Sequence, residues 1–275
     1  MMYKSLKVTD KPTSLVKEMI RSKESCLIVP PYYKGKDPEI EEIEVIDKYI
    51  GLFSSGTTGR PKCIWNSFDN LLCNATQTLT AFEIEAGQKL LILAAPWHVA
   101  GLSWALMAEN FGHEYVFIAT KKGDESKWYD AIQQFRPDVL LTVPSVLRGL
   151  DEFEWFVPKI IYGGTQLEPQ ELLFYSNRCE NIFQGFGQTE AGGLITAHKF
   201  NDLTIETDKK HRCCGKPING VEISCEGTRK TPGPIFVRSK TAYTNDFYQT
   251  GDLGYKDENG DLFIQGRIDK PVKDK

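Results

Sequence analysis

The stretch GLFSSGTTGRPKC, from Gly51 to Cys63, places Ser54, Ser55, Gly56, Thr57, Thr58 and Gly59 in a row and follows them with Lys62. Backbone N–H groups and hydroxyls in such a loop can wrap a polyphosphate, and one lysine adds a point charge beside it. Two common phosphate schemes do not fit. A Walker loop needs G-x-x-x-x-G-K-[ST]. Here Gly56 and Gly59 are too close together, Pro61 precedes Lys62, and Cys63 stands where a magnesium-binding hydroxyl belongs. The dinucleotide fingerprint G-x-G-x-x-G is absent. The composition alone also suits a surface linker, so the loop must be judged by its company.

Three further stretches supply that company. QGFGQTEAGG, residues 184–193, carries Thr189 and Glu190 after a glycine-rich turn. A carboxylate near a polyphosphate is what Mg²⁺ takes, together with phosphate oxygens and water. YQTGDLG, residues 248–254, holds Asp252 in what reads as a tight glycine-flanked turn, where a carboxylate can accept from both hydroxyls of a ribose. GRIDKPVK, residues 266–273, offers Arg267 to the same ribose or to a phosphate. Each has a plainer reading: a polar turn, an Asp doing ordinary turn chemistry, a surface ion pair worth little.

The elements that must position these residues read as follows. Residues 11–22 show helical spacing with Leu15, Met19 and Ile20 on one side, and SCLIVPP (25–31) is a short strand stopped by prolines. The acidic DPEIEEIEVIDKYIGLF turns into a strand that enters the Ser/Thr/Gly loop. A helix is predicted over 66–82, capped by Asn66 or Ser67. Strands at 89–97, 114–119, 138–144, 159–164 and 181–187 then alternate with helices at 101–113, 124–137, 144–150 and 168–180. The strands are continuously apolar. That combination predicts an α/β fold, mainly parallel sheets covered by helices. Past residue 200 the texture changes to short β-like pieces rich in Gly and Pro, with Asn259-Gly260 as a hairpin signal. A small antiparallel β-subdomain near the C-terminus is expected there.

Composition narrows the function classes. With 41% hydrophobic and 25% charged residues, the 275-residue chain reads as an ordinary globular protein. A formal net charge of −4 gives no footprint for nucleic acid. Seven cysteines, an odd number without CxxC spacing, are expected to be free thiols. No apolar run is long enough to span a membrane, and the start lacks the apolar core of a signal peptide, so a cytoplasmic location is expected.

Taken in this order, the four stretches resemble the adenylate-forming superfamily of acyl-CoA synthetases, peptide-synthetase adenylation domains and luciferases. SSGTTGRPK looks like its phosphate loop, GFGQTE like its [YF]-G-x-T-E segment, YQTGDLG like its T-G-D segment and GRIDKPVK like its hinge. YGGT (162–165) and PWHVAGL (96–102) fall where the family places adenine and acyl-pocket contacts. The resemblance runs from about Tyr49 to the end of the chain.

The resemblance implies a two-step reaction: a carboxylate attacks the α-phosphate of ATP to give an acyl-adenylate and pyrophosphate, and a thiol, usually that of coenzyme A, displaces AMP. It implies that Ser54 to Gly59 and Lys62 hold the β- and γ-phosphates, that Thr189 bonds the α-phosphate, and that Glu190 binds Mg²⁺. It places Gly163, Gly164 and Thr165 along the adenine with Phe186 and Gly187 beside them, and gives Asp252 and Arg267 to the ribose. His98, Gly101, Gly192 and Gly193 fall to the acyl pocket, where small residues leave room for a bulky or aromatic acid. Asp269 matches the pivot of the family's C-terminal lid.

The implied organisation is a nucleotide- and acyl-binding core over 1–200 with a shortened front, a β-rich subdomain over 201–268, and a hinge remnant over 269–275 without the lid and its lysine. The short front and PWHVAGLSW are similar to compact members akin to o-succinylbenzoate–CoA ligase. Cys63 departs from the family's glycine after the lysine, which predicts a stiffer loop exit. Two other readings stay open: transfer of the acyl group to a carrier-protein thiol, and a lidless ATP- or AMP-binding module without turnover.

Overall fold

The computed structural model describes residues 3–7, 11–31, 33, 35, 48–54, 62–200 and 212–269. The acidic run before Tyr49, the 201–211 segment and the end of the hinge lie outside them.

A four-stranded sheet comes first, in the order β1 (Tyr3–Lys7), β2 (Ser25–Val29), β3 (Tyr49–Ser54), β4 (Lys62–Ser67). β1, β2 and β3 run parallel, and β4 returns antiparallel to β3. Helix α1 (Pro12–Arg21) lies between β1 and β2 in sequence and buries Leu15, Val16 and Met19, as its spacing predicts. Lys48 holds the end of that helix, donating to the Met19 carbonyl at 2.5 Å and the Ile20 carbonyl at 3.2 Å.

The second sheet has eleven strands. Its parallel part is ordered β9 (Asn181–Gln188), β8 (Lys159–Gly163), β7 (Val139–Thr142), β5 (Leu90–Ala94), β6 (Tyr115–Ala119). These strands are apolar throughout because both faces are covered. Leu90, Ile92 and Ala94 of β5 pack into the core shared with α1, α2 (Phe68–Ala81) and α3 (Val99–Asn110). Leu91 and Leu93 point the other way, towards α4 (Glu125–Phe135), α5 (Pro144–Gly149) and α6 (Pro169–Ser176). Helix α3 is apolar on nearly every side, with Leu102, Trp104, Ala105, Leu106 and Met107 buried, which suits a helix enclosed by other elements. The crossover from β5 to β6 through α3 and the return from β6 past β5 to β7 through α4 run on opposite faces, so strand order reverses beside β5. Open α/β sheets hold ligands at the carboxyl ends of strands near such a reversal.

The antiparallel part continues the same sheet from β9 through β10 (Gly193–Phe200), β11 (Cys213–Pro217), β15 (Leu262–Arg267), β14 (Tyr248–Lys256), β13 (Gly233–Ser239) and β12 (Val221–Cys225). The antiparallel strands expected near the C-terminus are therefore present, joined edge to edge with the parallel ones. The Asn259-Gly260 signal sits between β14 and β15, and Gly260 takes the left-handed backbone at φ +81°.

Several boundaries differ from the sequence expectation. Residues 62–67 form a strand rather than the run-in to a helix, and α2 starts at Phe68 with Ser67 Oγ accepting from the Asn70 amide at 3.3 Å. β5 stops at Ala94, ahead of Pro96, because proline cannot donate to a ladder. α4 ends at Phe135, where Arg136 turns left-handed, and α6 ends at Ser176. β10 was not among the expected strands. All seven cysteines are free thiols, as expected. Among the described residues no helix is long and apolar enough to cross a membrane.

Asn74 of α2 fastens this helix to β10. It is fully buried; its Nδ2 donates to the Leu194 carbonyl at 2.9 Å and its Oδ1 accepts from the Leu194 amide at 2.8 Å. The side chain thus satisfies both backbone groups of one residue. Asn74→Ala strands them, and each buried orphan costs about 1–3 kcal/mol. Urea denaturation should show a loss of about 2–4 kcal/mol, the sum of those two costs after partial rehydration.

Candidate functional site

The hydroxyl-rich loop connects the β3–β4 hairpin. Ser54 and Lys62 face each other in register at its base, while Ser55, Gly56, Thr57, Thr58 and Gly59 lie outside the described residues. Side chains alternate along a strand, so Lys62, Ile64 and Asn66 share one face of β4. Ile64 and Asn66 are buried and Lys62 is exposed, its Nζ 5.9 Å from the centre of the Tyr243 ring. Asn66 Nδ2 donates to the Thr189 carbonyl at 3.1 Å. The strand face that presents Lys62 therefore also grips the turn bearing Thr189 and Glu190. Cys63 is a strand residue paired with Phe53, not a loop exit, and burial pushes its thiol up to about 12.

That turn is a single 3₁₀ turn, Thr189–Ala191, between β9 and β10. All three of its carbonyls are held. Thr189 accepts from Asn66 and from the Gly192 amide at 3.1 Å, Glu190 from the Tyr243 amide at 3.0 Å, and Ala191 from Thr241 Oγ1 at 2.9 Å. With the backbone so constrained, the Thr189 and Glu190 side chains stand half-exposed on a fixed base.

The glycines beside the turn have a reason other than the one expected. Gly192 has φ +73°, and a Cβ there would sit 2.4 Å from the Thr241 carbonyl oxygen; at Gly193, φ is +138° and a Cβ would meet Asn74 Oδ1 at 2.3 Å. Their missing side chains do not open room for an acid: that space is filled by Thr241 and Asn74. Gly187 is likewise pressed against Gly193 across the hairpin.

Asp252 is not in a turn. It lies within β14, directly opposite Arg267 of β15, next to Gly251 at φ +78° and a register shift. Its carboxylate accepts from Arg267 Nη1 at 3.0 Å and from Gln188 Nε2 at 2.9 Å. Gln188 also donates to the Thr250 carbonyl at 3.0 Å, tying the end of β9 to the T-G-D segment. Burial raises the pKa of Asp252, with Arg267 opposing the rise. Arg267 Nε reaches Asp269 at 3.5 Å.

The remaining expected residues sit at neighbouring strand ends. Gly163 closes β8 beside Gly185 of β9, and Gly164, at φ +88°, and Thr165 are exposed just beyond. Phe186 is half-buried on β9, at the edge of the core under the antiparallel strands. His98 follows β5 as the residue before α3; it keeps solvent contact, and desolvation by the protein around it lowers its pKa. Gly101 lets α3 approach the preceding loop, since a Cβ would sit 2.5 Å from the Ala95 carbonyl oxygen.

The structure thus joins Lys62, Thr189, Glu190, Asp252, Arg267 and Asp269 through one set of contacts, and leaves His98 and Gly101 on β5's side, with β7 and β8 between them and β9. Surface depressions beside α1, lined by Lys17 and Arg21, and beside the end of α4, lined by Arg136 and Trp155, lie away from both groups.

The linking residues Asn66, Gln188 and Tyr243 escaped sequence reasoning. Gln188 stood inside a quoted motif, and the alternation of Lys62, Ile64 and Asn66 was the available signal for a strand with an inward amide. Among the described residues no group of three or more His, Cys, Asp or Glu could hold a metal. Glu190 as a single carboxylate fits an ion that draws its other oxygens from phosphate and water.

The Asp252 shift has a measurable consequence. Its folded pKa lies above the ordinary 3.8, so the folded chain holds the proton more tightly than the unfolded one. The group favours folding in acid, and that contribution is lost as pH rises from the unfolded value through the folded one. Asp252→Asn removes the titration and leaves the half-exposed Arg267 hydrated. The stability of this variant relative to the parent should rise through that window and level off above it, as read from urea titrations between acid and neutral pH.

Comparison with known proteins meets this geometry. The family model described as AMP-binding enzyme matches residues 4–242. Curated relatives include the 2-succinylbenzoate–CoA ligases of Oceanobacillus iheyensis, 26% identical over 82% of this chain and 51% of that one, and of Listeria monocytogenes, 24% identical over 84% and 52%. The chain spans about half the length of the curated relatives it matches. Among solved structures, O-succinylbenzoate coenzyme A synthetase from Bacillus subtilis in complex with AMP superposes with a TM-score of 0.78 at 19% identity, covering 96% of this chain and 68% of that one. Amide bond synthetase from Marinactinospora thermotolerans superposes at 0.69 and 19% identity, covering 97% and 60%. At such identities the superpositions speak for the fold. The family match takes in the β3–β4 hairpin and the pinned Thr189–Ala191 turn and ends at Ala242, ahead of Asp252 and Arg267, and the chain belongs to the AMP-binding enzyme family.

Proposed function

We propose that this chain carries the nucleotide- and acid-binding part of an ATP-dependent acid–thiol ligase. It activates a small carboxylic acid as an acyl-adenylate with release of pyrophosphate, for transfer to coenzyme A. The observation that carries this reading is the continuous set of contacts from Lys62 and Asn66 through Thr189 and Glu190 to Gln188, Asp252 and Arg267. It links a cation, a hydroxyl, a carboxylate and a second, buried carboxylate, the kinds of group a nucleoside triphosphate needs.

In this reading the loop from Ser54 to Gly59 and Lys62 take the β- and γ-phosphates, and Thr189 the α-phosphate. Glu190 holds Mg²⁺, which when bound neutralises phosphate charge. Asp252 retains lone pairs beyond its bonds to Arg267 and Gln188 and accepts from the ribose hydroxyls. Gly163, Gly164, Thr165, Phe186 and Gly187 lie along the base, and Asp269 begins the hinge. His98 and Gly101 stand at the strand reversal beside β5, where the acid would enter. The printed names of the relatives make a succinyl-aryl acid the first to try. Catalysis here is positioning and charge stabilisation, with little covalent work for the protein. The division into 1–200, 201–268 and 269–275 and a cytoplasmic location belong to the same proposal.

The test is ATP–pyrophosphate exchange with Mg²⁺ over a panel of aryl, succinyl-aryl and fatty acids. Exchange should depend on the acid, and the best acid names the substrate class. Glu190→Ala should lower it by about 10²–10³-fold, the usual loss when one group facing transition-state charge is removed, while leaving AMP affinity unchanged. Nucleotide binding without exchange for any acid, even with a lid domain supplied, would move the reading to a binding module. Failure to bind ATP or AMP at all would overturn it.

A further inference from the structure

Tyr248 opens β14 with its ring edge-on to Tyr243, the centroids 5.7 Å apart and the planes at 63°. The residue is 7% exposed, and its hydroxyl is buried without a hydrogen-bond partner. A buried tyrosine hydroxyl ordinarily finds one. Phenylalanine would fill the same volume without leaving an orphan, so the fold itself has no use for this oxygen.

Its surroundings say what does. The ring packs in the apolar cluster under the antiparallel strands together with Ala191 of the turn and Ala242, and besides burial the groups that raise the Tyr248 pKa are Glu190, Tyr243 and Asp252. The Glu190 backbone is already fixed, its carbonyl bound to the Tyr243 amide, so only the direction of its carboxylate is left to settle. Asn66, which grips the same turn, repeats the pattern: Nδ2 holds Thr189, while Oδ1 is buried and unpartnered. Two buried side chains that meet one three-residue turn thus each keep a polar atom without a partner.

We propose that Tyr248 is a positioning residue for Glu190, its hydroxyl donating a hydrogen bond to the Glu190 carboxylate in the magnesium–nucleotide complex. This rests on the reading of Glu190 as the magnesium carboxylate. A donor on one carboxylate oxygen leaves the other directed at the ion, and holds it there when the triphosphate arrives. The bond forms between existing groups and transfers no proton.

The experiment is calorimetric titration of the whole chain with ATP in Mg²⁺ and in EDTA, and with AMP as a nucleotide that makes no use of the ion. The ratio of the two ATP affinities measures the coupling between metal and nucleotide. In Tyr248→Phe that ratio should fall at least about fivefold, the lower end of ordinary coupling, while AMP affinity stays at the parent value. The melting temperature should hold or rise, because an orphaned hydroxyl has been removed. Adding Tyr248→Phe to Glu190→Ala should lower the ratio no further, as expected if one acts through the other.

An unchanged ratio in Tyr248→Phe, with the parent showing clear coupling, overturns this proposal alone. So does a lower melting temperature, which would place the hydroxyl's partner within the fold. A parent chain that binds neither nucleotide, or binds ATP equally with and without Mg²⁺, overturns the reading of Glu190 and this inference with it.

Discussion

The structure turns on three consecutive carbonyls. Thr189, Glu190 and Ala191 are bound by a side chain from the first sheet, a backbone amide from the loop before β14 and a hydroxyl after β13. The first comes from β4 and the other two from the single loop between β13 and β14. A three-residue turn has no stability of its own, because fixing its backbone costs entropy that one internal hydrogen bond scarcely offsets. Three outside partners over-determine it. Side chains on an over-determined backbone can be aimed with the small tolerance that charge stabilisation requires. The two glycines that follow are consequences of the same crowding, since Thr241 and Asn74 must come close to grip the turn.

Sheet topology makes that gathering possible. β9 is parallel to β8 on one side and antiparallel to β10 on the other. The turn at its end therefore stands at the carboxyl edge of the parallel strands and at the root of the antiparallel ones. The parallel edge brings Gly163 to Thr165; the antiparallel strands bring Asp252 and Arg267 back across by way of β14 and β15. Gln188, the last residue of β9, spans the join with one amide nitrogen that reaches both the Thr250 carbonyl and Asp252. A single strand with two pairing senses thus joins the parallel and antiparallel parts, over an apolar cluster that runs from Ile195 of β10 to Ile235 of β13.

The legibility of this arrangement in the sequence divides along physical lines. The parallel core was readable because buried strands are unbroken apolar runs and its helices carry their spacing openly, as in Leu90–Ala94 or α1. Thr189, Glu190 and Asp252 stood out in the sequence because their residue types are rare in combination and close in sequence, and the structure places them within one set of contacts. What escaped were strands and contacts whose cause is remote. The sequence predicts a helix from residue 66 because Ser67 does cap one, and the short alternation of Lys62, Ile64 and Asn66 is a weak local sign that these residues pair with β3. β10 begins in glycines that only make sense once Asn74, more than a hundred residues away, is seen against them. Asp252 read as turn chemistry because Gly251 and Gly254 flank it, whereas the cross-strand arginine sets its surroundings.

Where local rules fail, they fail in a pattern. Natural chains satisfy nearly every buried polar group and depart from this where function requires it. Orphaned atoms do occur elsewhere here, such as Trp128 Nε1 in the core beneath α4. That one is solitary and surrounded by apolar side chains. Around the turn, by contrast, an orphaned amide oxygen on Asn66, whose amide nitrogen holds Thr189, and an orphaned hydroxyl on Tyr248, whose ring shares an apolar cluster with Ala191, belong to residues that meet one three-residue element. Each by itself is a modest cost to the fold. A ligand that supplied partners to these two atoms would recover that cost on binding.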